Sequence, residues 1–443
     1  MKKIVYILFP LMVLLGCKKN KNEVYSGTLQ IFDQGLVFQS PIRVIQEGQS
    51  AAYNRLLFTP VPGLATKIRW TVDGKQVSTD TTFTFTPTTG GEFEVKLEAT
   101  FNGQTETRLS RVLVNPSSYT PKLSSFVRMS YLSENGISAH VNWSNVSHVA
   151  FNGARVLANG SVDFSKGDLH QNVDELVARG HLNGIPVLLG VTGRLRGMEG
   201  WTFHGNTDFG RNISDVSQRA KLVKILAEYV RERKLDGIDV MMTDLSHELY
   251  DIPRKSVQSV GPFLSELRKA LPTGSMITAT VAIDYLHWEY TGMSTADWIN
   301  VRAFNYENRV EPGAHPGNQS PLSYMIQGAE LWQNKGFPAN KIVMGVPAFG
   351  LRYLELIGEG VNATWKSSDY ITYRDILLKD PTAAQKNFTA AEAKGVYYDG
   401  IPLTTQKANY IKEKGFKGVY LWAGDYDAVG ENSMMKTISQ ILQ

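Results

Sequence analysis

The strongest constraint on the fold is a rhythm that runs through residues 122–443. Eight short apolar runs recur there: Phe126–Tyr131, Val146–Phe151, Ile185–Val191, Leu235–Met242, Met276–Ile283, Trp298–Phe304, Lys341–Ala348 and Phe416–Trp422. Between them lie stretches that place apolar residues on one helical face. Ser214–Lys234 does so with Leu222, Val223, Leu226 and Val230, and Val257–Leu271 follows the same pattern. Continuous apolar strands separated by amphipathic helices indicate parallel strands buried on both faces. Eight such units predict an α/β chain folded as a (β/α)8 TIM barrel. The segment of about 349–400 is too long for a simple connection, so it is expected to be a small insertion.

The chain before the barrel has a different texture. Residues 24–116 alternate with period two, as in Lys67-Ile68-Arg69-Trp70-Thr71-Val72, and Asp73-Gly74 supplies a turn. Thr82–Thr86, Phe93–Ala99 and a run ending near Val114 continue the pattern, with Gly90-Gly91 and Asn102-Gly103 between them. Short strands and closely spaced turn signals predict an all-β sandwich. The layout resembles a polycystic-kidney-disease-type immunoglobulin-like domain, for which a spacer role is expected and Trp70 is a core residue. Residues 117–121 form the linker to a barrel domain at 122–443.

The amino terminus carries an address. Lys2 and Lys3 precede an apolar stretch from Ile4 to Leu15, and Leu14-Leu15-Gly16-Cys17 closes it. A basic start and a short apolar run mark a secretory signal over 1–16, too short for a membrane span. The Leu-Leu-Gly-Cys block resembles a bacterial lipobox. That resemblance implies a lipidated Cys17, a tether at 17–23 and attachment to the outer membrane, facing the cell surface. Cys17 is the only cysteine, so no internal disulfide forms. The formal net charge of +4, which falls by two without Lys2 and Lys3, is too small and dispersed to argue for nucleic acid. The eight histidines show no metal-ligand spacing, and no phosphate-cradling glycine loop is present, so neither metal nor cofactor is expected.

In a barrel of this kind the chemistry sits at the carboxyl ends of the strands. The fourth run, Leu235-Asp236-Gly237-Ile238-Asp239-Val240-Met241-Met242-Thr243-Asp244, stands out there. Strand alternation aims Asp239, Met241 and Thr243 into the barrel together. This run resembles the Asp-Gly-x-Asp-x-Asp-x-Glu pattern of glycoside hydrolase family 18, the chitinases and endo-β-N-acetylglucosaminidases. Asp236, Gly237 and Asp239 match; Met241 replaces an aspartate and Thr243 replaces the catalytic glutamate. Lys341–Gly350, Tyr397-Tyr398-Asp399 and Gly415–Trp422 resemble later parts of that family. Trp422 matches the tryptophan on which the reacting sugar sits. The family's Met-x-Tyr-Asp on the sixth strand is here Arg302-Ala303-Phe304-Asn305.

The resemblance implies substrate-assisted cleavage in active members. A threonine hydroxyl does not titrate near neutral pH and cannot act as the general acid, and a methionine cannot orient an acetamide as a carboxylate does. The expectation is therefore a protein that binds N-acetylglucosamine-containing oligosaccharides without cleaving them. Such a protein resembles the surface lipoproteins that pass glycans to an outer-membrane transporter. Candidate ligand-binding residues are Trp422, Asn305, Phe304, Tyr131, Trp201, Trp288, Tyr306 and Asp239, and Arg302 is a possible partner for Asp239. A structural role for Asp239, hydrogen-bonded to its neighbours, is the alternative at that position. Two further readings stay open: an active endo-acting hydrolase rescued by Asp244 or Glu248, and a scaffold without a glycan ligand.

Overall fold

The computed structural model describes residues 30–32, 42–54, 56–58, 67–101, 103–193, 198, 208–242, 251–283 and 285–443. The expected signal segment at 1–16, Cys17, Trp201, Thr243, Asp244 and Glu248 lie outside the described residues. Contacts divide the chain into two units, one ending at Val112 and one occupying Leu113–Gln443, with Val44–Gln49 and Pro87–Glu92 counted to the second.

The amino-terminal unit is all-β. Lys67–Val72 pairs antiparallel with Lys75–Ser78 and with Gly91–Phe101, and Ala51–Asn54 pairs antiparallel with Thr82–Phe85 in a separate sheet. At the first hairpin Asp73 and Gly74 both adopt positive φ, 48° and 77°, as a two-residue turn between twisted strands demands. The two layers meet through aromatic rings. Trp70 is fully buried, 5.8 Å from Tyr53 and 5.6 Å from Phe83, and its indole N–H donates to the Asp80 carbonyl at 3.0 Å.

The second unit is the barrel. Its strands are β1 (Val127–Leu132), β2 (His148–Val156), β3 (Val187–Thr192), β4 (Gly237–Met241), β5 (Met276–Val281), β6 (Trp298–Val301), β7 (Ile342–Pro347) and β8 (Gly418–Trp422). Each pairs in parallel with the next, and β8 pairs in parallel with β1, which closes the sheet. Each of the eight apolar runs of the sequence overlaps one of these strands, and five contain theirs whole. The burial of β3, β4, β7 and β8 at every position explains why those runs lack a polar face.

The crossovers are helical. The helices that matter below are α1 (Val173–Leu182), α2 (Val216–Arg233), α3 (Asp251–Ala270), α4 (Leu322–Asn334) and α5 (Ile401–Glu413). In α2 the Asp215 carboxylate accepts from the Gln218 amide and caps the first turn, while Leu222, Val223, Leu226 and Val230 face the sheet. Lys234 ends the helix in the left-handed region, at φ 55°. The insertion after β7 forms its own sheet, in which Phe349–Ile357 pairs antiparallel with Thr364–Thr372 over a core of Leu351, Tyr353 and Trp365.

Candidate functional site

The fourth strand distributes its motif over the height of the barrel. Asp236, just before β4, lies at the amino-terminal end. Its carboxylate accepts from the Tyr119 hydroxyl at 2.6 Å, from the Val187 amide at 2.7 Å, and lies 3.1 Å from His181 Nε2. This carboxylate ties the 117–121 segment to the foot of the sheet and is remote from the mouth.

Asp239 is three residues further along, inside the barrel and fully buried. Thr278 and Thr280 of β5 donate to it at 2.6 and 2.8 Å, and the Asn300 amide of β6 donates at 2.8 Å. Register explains the convergence, since Asp239 stands opposite Thr278, and Thr280 opposite Asn300. Burial pushes the Asp239 carboxyl up, and the hydroxyls and amide around it pull the other way. With three donors already aimed at its two oxygens, the group has the surroundings of a structural carboxylate. Met241, the next inward residue, is 2% exposed.

Strand closure brings β1 beside β8. Tyr131 pairs with Trp422, and their rings lie 5.0 Å apart. Tyr131 is fully buried, so it underlies Trp422 instead of presenting a face at the mouth. Its hydroxyl is pushed well above the ordinary tyrosine value, by burial first and then by Asp239. Gly190 of β3 makes room for that hydroxyl, because a Cβ there would collide with it. Tyr420 is likewise buried beside Asp239 and is raised by burial.

Above these rings lies a cleft of about 430 Å³. Trp422 and Tyr426 line one side, Glu134 and Asn135 come from the chain after β1, and Asn152 comes from β2. Ser133, Met198 and Thr372 complete it. Ser133 is held by Asp425, which accepts from its amide at 2.8 Å and its hydroxyl at 2.6 Å. Trp422 is only 2% exposed, and its indole N–H donates to the Met198 carbonyl at 2.9 Å. Glu134 is the one formally charged residue lining the cleft among the described residues.

The other candidates fall elsewhere. Phe304, just beyond β6, is 1% exposed and packs edge-on against Phe349 at 5.7 Å. The Arg302 guanidinium, also buried, lies 4.6 Å from the Phe304 ring centre. Asn305 takes positive φ, 59°, and its backbone N–H donates to Gln319 Oε1 at 2.7 Å. Its side-chain oxygen is buried without a partner among the described residues. Tyr306 packs on Tyr324 at 4.8 Å, and its hydroxyl accepts from Asn308. Trp288 is 67% exposed but sits on the flank, where Lys335, just past α4, donates to its carbonyl at 2.9 Å. Of the sequence candidates with described positions, only Trp422 lines the cleft. Asn152 and Glu134 were not singled out from sequence, and nothing in their neighbours marks them. The Thr278-x-Thr280 alternation in an otherwise apolar strand was a readable sign of a polar barrel interior.

A model of the family described as "Glycosyl hydrolases family 18" matches residues 127–427. The chain belongs to glycosyl hydrolases family 18. Among curated members it is 24% identical over 274 residues to chitotriosidase-1 of Mus musculus, covering 52% of this chain and 57% of that protein. It is 24% identical over 324 residues to chitinase-3-like protein 2 of Homo sapiens, covering 63% of this chain and 79% of that one. Among solved structures, a chitinase from Bacteroides thetaiotaomicron superposes with a TM-score of 0.57 at 20% identity, covering 72% of this chain and 97% of that chain. A class V chitinase from Nicotiana tobaccum in complex with NAG4 gives 0.56 at 16% identity, covering 72% and 99%. At these identities the structural likeness carries the fold, and the chemistry of this family 18 barrel rests on its own residues.

Proposed function

We propose that this family 18 barrel binds N-acetylglucosamine-containing glycans in the cleft over Trp422 and does not hydrolyse them. The observation that carries the reading is the state of β4. Its one inward carboxylate, Asp239, is buried and committed to Thr278, Thr280 and Asn300, and its mouth-side neighbour is Met241. The residue two positions on is Thr243, which has no proton to give near neutral pH. The cleft volume lies within the range of about 300–1,000 Å³ usual for small-molecule sites, and an indole suits the C–H face of a sugar. Trp422 is 2% exposed, with its indole N–H held by the Met198 carbonyl, so a sugar that stacks on it must uncover the ring. Relatives named as chitinases, and the solved complex of one with NAG4, support the ligand class.

The lipobox-like Leu14–Cys17 supports anchoring at the outer membrane, with capture of glycan for a transporter as the role. The test of the binding reading is calorimetric titration with N-acetylglucosamine hexamer, followed by mass spectrometry of the cell contents. Saturable heat with intact hexamer supports it, and shortened oligomers overturn it. Trp422→Ala is expected to weaken binding at least tenfold, and unchanged affinity removes this cleft from the reading.

A further inference from the structure

We propose that Asn152 is the residue that reads the bound sugar, offering its amide oxygen to an O–H or N–H of the unit lying against Trp422. This rests on the reading that the cleft holds a glycan, and it goes further by assigning the polar contact and its direction.

The backbone places Asn152 at the mouth. β2 is irregular here: Asn152 pairs with Gly190 and Ala154 with Val191, so Gly153 is an extra residue in the strand. A bulge of this kind re-aims the side chain next to it. Asn152 lines the cleft although it is only 3% exposed. One end of its amide lies 3.1 Å from the Thr192 hydroxyl, and the other end has no partner among the described residues. A buried amide group left unpaired costs about 1–3 kcal/mol. A ligand at this spot would relieve that cost.

The direction follows from counting protons. Thr192 Oγ1 is within hydrogen-bond distance of both the Asn152 amide and the Gly193 carbonyl, at 3.1 and 2.9 Å, and it carries a single proton. If that proton goes to Asn152, the Gly193 carbonyl loses its donor and the whole NH2 group stays unpaired. If it goes to Gly193, the hydroxyl oxygen accepts from the Asn152 NH2, and both contacts are made. The two ends of an amide have the same shape, so the network decides between them. The second arrangement turns the amide oxygen toward the cleft as an acceptor. Its partner must donate, which sugar hydroxyls and an acetamide N–H do.

The experiment is titration of the full chain, kept soluble in a non-ionic detergent without a sugar headgroup, with N-acetylglucosamine hexamer. Wild type, Asn152→Ala, Asn152→Asp and Trp422→Ala are compared, and each melting temperature is measured alongside. Asn152→Ala is expected to weaken binding at least tenfold while melting within a few degrees of wild type. Asn152→Asp keeps an oxygen at the cleft and is expected to stay within about threefold of wild type, as befits an acceptor. Wild-type affinity in Asn152→Ala, with loss in Trp422→Ala, overturns this proposal and leaves the sugar reading standing; the amide then holds only water. Equal losses in the Ala and Asp variants overturn the acceptor assignment. No binding by wild type overturns both.

Discussion

At the scale of the single residue, buried polar groups tell structural roles from functional ones. Asp239 and Asn152 both occupy the barrel interior, but Asp239 is surrounded by donors and the Asn152 amide is half paired among the described residues. Asp239→Asn would put an NH2 group where one accepting oxygen stood, facing either Thr280 or the Thr278–Asn300 pair, and an expected loss of about 2–3 kcal/mol is read by urea unfolding. The period-two rule put Asp239 inside the barrel from sequence alone. Its partners were not legible, because Thr278, Thr280 and Asn300 lie 39, 41 and 61 positions away and meet it only through register. His148 illustrates a titrating group. Its ring packs edge-on against Trp298 at 5.3 Å, and burial, reinforced by Lys417, pushes its pKa down to about 4. The folded state therefore resists protonation, while the unfolded chain takes the proton near pH 6.5. Stability is fully present above about pH 6.5 and falls as pH drops toward 4, by about 1–2 kcal/mol, since the residue keeps some surface open. His148→Gln should show a flatter stability profile than wild type over that window, and parallel profiles would refute the assignment.

At the scale of the element, the same chain uses caps and buried pairs to fix helices on the sheet. Asp215 starts α2, and Asp215→Ala is expected to cost about 1 kcal/mol in denaturant unfolding. α5 is held more firmly. Lys407 is fully buried, with its ammonium 2.5 Å from Asp399 and 2.5 Å from the Ser320 hydroxyl. Burial alone would lower Lys407 and raise Asp399, and each opposes the other's shift. Removing one partner leaves an isolated charge in the interior. Lys407→Met is expected to cost about 3–5 kcal/mol, and adding Asp399→Asn to it should recover part of that loss. A double-variant loss equal to the sum of the two single losses would show that the pair is not coupled. Elements were more legible than their surroundings: the helical face of Ser214–Lys234 was readable from four apolar positions, whereas Gly153 hints at a bulge without saying which side chain it re-aims.

At the scale of the whole molecule, an all-β unit precedes a barrel that contains the cleft, and the proposed membrane anchor rests on the lipobox-like Leu14–Cys17. Cys17→Ser is expected to move the protein from the membrane fraction to the soluble fraction of the cell envelope, and unchanged fractionation would remove lipidation from the proposal. The amino-acid sequence by itself determined the eight-unit barrel, the preceding strands and the family, and it supplies the non-acidic Met241, Thr243 and Asn305 on which the proposed loss of hydrolysis rests. Those are properties of residue identity and of short periods, which need no knowledge of distant neighbours. Tertiary structure alone decided that Tyr131 is a buried support, that Trp288 lies on the flank and that Trp422 is 2% exposed with its indole bound to the Met198 carbonyl. It also decided that Glu134 and Asn152 share a cleft with that tryptophan. The reason is closure. Pairing β8 with β1 brings residues about 290 positions apart into contact, and which polar atoms are left without a partner is settled only when every strand is in register.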